Sequence, residues 1–191
     1  GLTKAAKVLT GFFATLMAAT GLNKLINEVQ QANNELYFLE KNLGMSAQSI
    51  KSWQNAAAAS GGTAEGMTAS LKGLSRSMND FVIMGDTSML PYFNALGVSM
   101  VDGTGKVREL DDVMLDLSDS FSRMDRKQAY SIGAAMGLDE GALNTLLQGR
   151  DAMQEMLDIQ KSMYHSSEKE LEASRELSKQ HAILNAHWES L

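Results

Sequence analysis

The chain has 191 residues, a formal net charge of -6 at pH 7 and no cysteine. Binding to nucleic-acid phosphates needs clustered Lys and Arg, so the acidic balance and the scattered basic residues argue against a sequence-specific nucleic-acid partner. The lack of cysteine excludes disulfides, thiolate nucleophiles and Cys-based metal sites.

Proline occurs once, at Pro91, whereas methionine occurs 13 times. Because proline is the strongest breaker inside a helix, its scarcity leaves long segments able to form helices. Flexible Met side chains fill helix cores well, which is the simplest explanation for their number. We therefore predict an all-α fold: a multi-helix module with glycine-punctuated helices and extended helical arms at both ends.

The first segment places Lys4 and Lys7 before an apolar run from Val8 to Leu22. This order imitates the charged and apolar regions of a signal peptide. A membrane-spanning helix needs about 20 mostly apolar residues, and this run is shorter. We predict an apolar helix that needs a partner, with a membrane-active segment as the alternative. Because the chain begins at Gly1 and not at Met, we also expect it to be a piece of a longer protein.

From residue 22 to residue 43 the apolar residues repeat in heptads, which is the pattern of a coiled-coil stripe. Three heptads are the threshold length for that interpretation, so packing against the chain's own next domain is an equal alternative. Both interpretations predict a helix here, within an N-terminal arm over residues 1–43. The seam residues to which we assign protein interaction are Leu22, Leu25, Val29, Leu36 and Leu39.

Glycines punctuate the middle of the chain, for which we predict a compact helical module over residues 44–149. Ser46, Thr63 and Asp139 stand where side-chain caps would begin helices. The predicted helices cover residues 47–60, 64–84, 91–96, a segment beginning at 111, 126–136 and 142–149. Their expected inward faces carry Ile50, Trp53, Ala57, Met67, Leu71, Leu74, Met78, Phe81, Val113, Leu117 and Phe121.

Residues 102–106 read DGTGK and resemble two kinds of ligand loop, but neither motif is complete. A phosphate-binding loop needs a glycine where Met100 stands and a hydroxyl where Val107 stands. A calcium loop needs an oxygen ligand where Lys106 stands. Turn chemistry remains: Asp102-Gly103 suits positions of positive φ, which predicts a small β-hairpin near residues 98–110.

Acidic residues recur one turn apart at Asp112, Asp116 and Asp119, a spacing that can bind a metal ion or do acid-base work. A solvated helix face near a helix N-terminus is the favoured interpretation. The sequence has neither a G-x-S-x-G elbow nor an H-E-x-x-H pair. We therefore predict a non-enzymatic chain with no catalytic residue, cofactor or metal site.

The last segment, residues 150–191, contains neither Gly nor Pro, and we predict a long polar helical arm. Ser167 and Glu170 have the spacing of a capping box, so a break is expected near residues 164–167. All three histidines, His165, His181 and His187, fall in this arm.

Three stretches occur in a characteristic order: LEKNLGMSAQSIKSWQNAAAASGGTAEGMTASLKGLSRSM, NALGVSMVDGTGKVRELDDVMLDLSDSF and AYSIGAAMGLDEGALNTLL. In this order they resemble the N-terminal region of phage tail tape-measure proteins over about residues 36–156. The matching landmarks are Leu43-Gly44, Ser46, Trp53, Ala56 to Ala59, Ser60-Gly61, Ala64-Glu65, Leu96-Gly97-Val98, Asp102, Gly103, Gly105, Gly137 and Leu146-Leu147. The chain departs from the family at Met136, where Phe is frequent, and at Gly62, where a larger residue is common.

The resemblance implies a structural virion component. Tape-measure proteins are long helical chains that lie in several copies in the tail tube, set tail length and leave the tube during genome delivery. The implied partners are copies of itself, tail-tube and tail-tip proteins and tail assembly chaperones. The implied location is the virion tail lumen, with the host cytoplasm during assembly. The alternatives are a peptidoglycan-degrading segment or a membrane-inserting segment of a tail protein, the latter with transient membrane contact.

Overall fold

The computed structural model describes residues 21–159 and Ser162, with side chains from residue 31 onward. The chain divides into two compact units, residues 1–42 and residues 43–191. Most of the apolar run from Val8, the break expected near residues 164–167 and all three histidines lie outside the described residues.

The described residues are all-helical and contain no strand, which confirms the predicted all-α class. The helices are α1 (Gly21–Leu43), α2 (Ala47–Ala59), α3 (Ala64–Met84), α4 (Leu90–Leu96), α5 (Leu110–Ser122), α6 (Arg126–Ala135) and α7 (Glu140–Leu146). A further helical segment, α8, covers residues 150–159.

Side-chain caps begin the helices where the sequence predicted them. The Ser46 hydroxyl accepts the backbone N–H of Ser49 at 3.1 Å, and Thr63 accepts that of Gly66 at 3.0 Å. Asp139 does the same for the first turn of α7. These contacts satisfy N–H groups that have no partner within the helix. Asp125, which was not predicted, caps α6 in the same way.

The short helix α7 lies at the centre of the second unit, where it contacts α2, α3, α5 and α6. Small residues make this possible, because a Cβ on Gly62 would lie 2.7 Å from the Cα of Gly141. The backbone of the α2–α3 loop therefore touches the backbone of α7. Ser70 on α3 fixes the start of α7 as well, because its hydroxyl accepts the Asp139 N–H at 2.9 Å.

The predicted inward faces form the core. The buried residues include Ile50, Trp53, Ala57, Met67, Leu71, Leu74, Met78, Val113, Leu117 and Phe121, whereas Phe81 is only half-buried. Counting Met67 and Met78, seven methionines are buried among the described residues, namely Met45, Met67, Met78, Met100, Met114, Met136 and Met153. Most methionines in the described part of the chain therefore fill the helical core, as flexible side chains do well.

The start of the predicted C-terminal arm belongs to this core. Met153 and Leu157 on α8 are buried, and the Arg150 guanidinium pairs with the carboxylate of Asp116 on α5. The compact packing thus continues past residue 149, through the first turns of α8.

The loop between α4 and α5 reverses through an isolated antiparallel bridge between Val101 and Val107. The Asp102 N–H donates to the Lys106 carbonyl at 2.8 Å, and the Gly105 N–H donates to the Asp102 carbonyl at 3.0 Å. Within this turn only Gly105 has a positive φ, of 81°, so the prediction that Asp102-Gly103 takes positive φ is wrong. The reason is the turn type, because a three-residue loop needs the left-handed conformation at its last position.

The Asp102 carboxylate holds this turn together, and its titration offers a test. Its Oδ1 accepts the Thr104 hydroxyl at 2.7 Å, the Thr104 N–H at 2.8 Å and the Lys106 N–H at 3.1 Å. The Thr104 hydroxyl is the main cause that lowers the pKa of Asp102 below its ordinary value of 3.8. Hydrogen bonds to a carboxylate favour its charged form.

We expect Thr104→Ala to raise the pKa of Asp102 toward that ordinary value, whereas Thr104→Ser leaves it low. Because the folded pKa is depressed, this carboxylate stabilises the fold above its ordinary pKa and loses that effect as pH falls through the folded pKa. An NMR titration of the side-chain carboxyl carbon measures the shift. An equal pKa in all three proteins would show that the hydroxyl has no such effect.

Candidate interaction surfaces

Three of the four acidic residues of α5, namely Asp111, Asp116 and Asp119, make structural contacts. Asp111 Oδ1 accepts the Ser49 hydroxyl at 2.5 Å and the Trp53 indole N–H at 2.8 Å, which ties α2 to α5. Asp119 pairs with Arg123 one turn later. Within the described residues, no group of three or more His, Asp or Glu side chains is placed to hold a metal ion.

Asp116 joins two separate segments to α5. Its Oδ2 lies 2.7 Å from an Arg108 guanidinium nitrogen, and its Oδ1 pairs with Arg150. Arg108 also donates to the Ser99 carbonyl at 3.0 Å, on the other side of the turn. One carboxylate therefore fixes both the 99–108 loop and the start of α8. Its spacing in the sequence gave no sign of either partner.

The predicted protein-interaction seam lies on α1, in the first unit. Leu22, Val29 and Leu36 are seven residues apart on one continuous helix, and Leu25 and Leu39 hold the second seam position. The side chains of Leu22, Leu25 and Val29 lie outside the described side chains. Those of Leu36 and Leu39 are half-buried.

Two aromatic residues lie between the last seam positions: Tyr37, which the sequence predicts to widen the apolar stripe, and Phe38, which was not part of the prediction. Tyr37 is 53% exposed and Phe38 is 62% exposed. Their rings meet edge to face with centroids 5.5 Å apart, and the Lys41 ammonium lies 5.6 Å from the Tyr37 centroid. Successive helix residues point in directions about 100° apart, so residues 36–39 are apolar on nearly every side. Four consecutive apolar residues were the signal available in the sequence.

A second apolar surface lies on the compact unit at the end of α3. Val82, Ile83 and Met84 are all exposed, and Ile83 reaches 77%. A shallow groove of about 300 Å³ opens in the same region and is lined by Phe81, Leu90, Asn94, Gly97, Val98, Ser99, Met100 and Val101. We call Val82, Ile83 and Met84 the α3 tip, and we call the groove beside them the α4 groove. Exposed apolar patches of this kind are typical of protein–protein contact sites.

The polar groups of the core are satisfied internally. Among the described residues, every buried side-chain nitrogen or oxygen has a hydrogen-bond partner. The Ser118 hydroxyl donates to the Leu146 carbonyl and the Ser120 hydroxyl to the Leu96 carbonyl, each at 2.6 Å. These serines bind carbonyls at the ends of α7 and α4. Their hydrogen-bonding capacity is thus used to hold helix ends.

None of the helices between residues 21 and 159 combines the length and the apolar character that crossing a bilayer requires. The apolar run from Val8 lies almost wholly before those residues.

Comparison with known proteins gives no relative. No protein-family model, curated protein or solved structure matches the chain.

Proposed function

We propose that this chain is a structural, non-enzymatic module of a phage tail tape-measure protein. It helps to set tail length and to assemble the tail through helix–helix contacts, and it takes part in genome delivery. Its proposed partners are copies of itself, tail-tube and tail-tip proteins and tail assembly chaperones. The proposed location is the tail lumen of the virion, with the host cytoplasm during assembly.

The observation that carries the proposal is the helix α1. It runs for 23 residues without interruption, which corresponds to a length of about 35 Å at 1.5 Å per residue. All five seam residues fall within it, and they belong to the first of the two compact units. A long helix with one apolar stripe is suited to pairing with another helix.

The compact unit supports the same proposal through the use it makes of its polar residues. The carboxylates of Asp111, Asp116 and Asp139 each bind groups on other elements or cap a helix. Their roles in the described structure are therefore architectural, which suits a module that works by its shape and its contacts.

The seam provides the test. We expect Val29→Asp combined with Leu36→Asp to abolish self-association of α1, because two charges would have to enter an apolar interface unpaired. Multi-angle light scattering of the full chain measures the mass. The matched control is Asn27→Asp with Asn34→Asp, which places the same charges seven residues apart on the opposite side of the helix.

The helical content of both variants is compared by circular dichroism, so that loss of the helix is distinguished from loss of the contact. A mass unchanged by the seam substitutions, with helicity retained, would contradict self-assembly through α1. The neighbouring gene products give an independent check on the wider proposal. We expect a tail-tube gene upstream and a baseplate gene downstream.

A further inference from the structure

A continuous chain of polar contacts runs from the 99–108 loop across α5 to α8. One terminal nitrogen of the Arg108 guanidinium donates to the Ser99 carbonyl at 3.0 Å, and the other lies 2.7 Å from Asp116 Oδ2. The second carboxylate oxygen, Oδ1, pairs with Arg150, the first residue of α8. The loop is therefore joined to α8 through side chains that act in series.

The two contacts of Arg108 use the planar fork of its guanidinium. A lysine ammonium at this position would keep the positive charge, but it does not present two nitrogens in a fixed plane. The Arg108 side chain is 22% exposed and that of Asp116 is 29% exposed, whereas that of Arg150 is 44% exposed. Arg108 is thus the better shielded partner, and its fork holds the carboxylate in the direction that leaves Oδ1 for Arg150.

Few side chains hold α8 on the rest of the compact unit. Within residues 150–159, the buried side chains are Met153 and Leu157, and Ile159 is 53% exposed. The ion pair of Arg150 with Asp116 adds to these two apolar contacts. Segments with few buried apolar contacts open more readily than the core of a domain does.

The connection that precedes α8 is suited to act as a hinge. The Ser118 hydroxyl donates to the Leu146 carbonyl at 2.6 Å, so the end of α7 is held on α5. Gly149 lies between this fixed point and α8, and its φ is 90°. Glycine adopts positive and negative φ about equally readily. A change of backbone angles at Gly149 would therefore move α8 and leave α7 in place.

We propose that Arg108, Asp116 and Arg150 form a latch that controls the undocking of α8 from the compact unit. When the latch opens, α8 turns about Gly149 and its two buried side chains leave the core. Arg108 is a positioning residue, because it acts on α8 through the carboxylate and so couples the 99–108 loop to the state of α8. Since α8 begins the predicted C-terminal arm, the latch determines whether the start of that arm is held on the compact unit. The latch does not depend on the proposed function.

Cysteine labelling of the full chain measures undocking, because the natural chain has no cysteine. A thiol at Leu157→Cys reacts with dithionitrobenzoate once α8 undocks, whereas a thiol at Leu74→Cys in the core of α3 requires global unfolding. We expect labelling to be at least about tenfold faster at residue 157, because local opening takes less free energy than global unfolding. Equal rates would overturn the proposal. Circular dichroism confirms that both variants keep their helices.

Asp116→Asn tests the latch itself. We expect it to accelerate labelling at Leu157→Cys by about two- to fivefold, the change in an equilibrium constant to which a partly exposed ion pair corresponds. The matched control is Asp119→Asn on the same helix, whose carboxylate pairs with Arg123 within α5. This control should leave the labelling rate unchanged. An unchanged rate in Asp116→Asn, or equal acceleration by both substitutions, would show that Asp116 does not hold α8.

Arg108→Lys tests the coupling, because it keeps the charge and removes the fork. We expect it to accelerate labelling at Leu157→Cys by about twofold or more, up to the effect of losing the ion pair. In the Arg150→Gln background the same substitution should have no further effect, because its path to α8 is already broken. No effect of Arg108→Lys in the natural background, or full additivity with Arg150→Gln, would refute the coupling of the 99–108 loop to α8.

Discussion

Gly141→Ala is expected to destabilise the compact unit by about 2–3 kcal/mol, the upper part of the usual cost of overpacking a core. The added Cβ would clash with the Cα of Gly62 in the α2–α3 loop. That neighbour is backbone, so no side-chain rotation can relieve the clash. Either α7 or the loop must shift, and α7 contacts four other helices. Urea unfolding of the full chain measures the change in free energy.

Gly73→Ala is the matched control, because it makes the same chemical change on an exposed helix. No atom lies within 4 Å of the added Cβ, so we expect stabilisation by about 0.5–1 kcal/mol from helix propensity alone. The two substitutions are expected to change the free energy of unfolding in opposite directions. This difference separates the effect of the backbone contact from the general cost of glycine in a helix. Destabilisation of similar size in both variants would show that the Gly62–Gly141 contact is not what requires glycine.

The Gly62–Gly141 contact is a feature of the fold that could not be predicted from the sequence. Ser46, Thr63 and Asp139 could be predicted as caps because each acts on backbone within three residues of itself. The Gly62–Gly141 contact joins two distant parts of the chain and leaves no local pattern. From the sequence, Gly62 is predicted to end a helix together with Gly61, and it departs from the tape-measure resemblance, in which a larger residue is common there. In this chain, the backbone of Gly141 occupies the space that a larger side chain at residue 62 would need.

Of the two interaction surfaces, one could be predicted from the sequence and the other could not. The α1 seam could be predicted because a helix turns periodic spacing into a shared face, which needs no knowledge of the fold. The α3 tip could not, because Met78 and Ile83 are both apolar residues of one helix and only the packing decides which of them is covered. The periodic pattern assigned Phe81 to the core. The structure leaves it half-buried, because the core ends before the helix does.

The acidic residues of α5 show why the contacts of polar side chains could not be predicted from the sequence. Asp111 and Asp112 are adjacent and both lie in the first turn of the helix, where the dipole favours them. Asp111 turns toward α2 and accepts two hydrogen bonds, whereas Asp112 is exposed. Their neighbours in the sequence are similar. The difference arises only when α2 packs against α5 and brings Trp53 to one of them.

Asp111→Ala is accordingly expected to destabilise the compact unit by about 2–3 kcal/mol, since hydrogen bonds to a charged group contribute about 1.5–3 kcal/mol and the fully buried Trp53 would lose its acceptor. The control is Asp112→Ala, an exposed neighbour, for which we expect a change within about 0.5 kcal/mol. Urea unfolding monitored by tryptophan fluorescence measures both.

A double-mutant cycle with Trp53→Phe then tests the mechanism. Phenylalanine retains most of the apolar ring and removes the indole N–H, so part of the effect of Asp111→Ala should disappear in the Trp53→Phe background. The rest is attributable to the Ser49 hydroxyl, which lies 2.5 Å from the same carboxylate oxygen. Circular dichroism follows unfolding here, because Trp53 is replaced. Full additivity of the two substitutions would mean that the indole and the carboxylate do not stabilise the fold through their hydrogen bond.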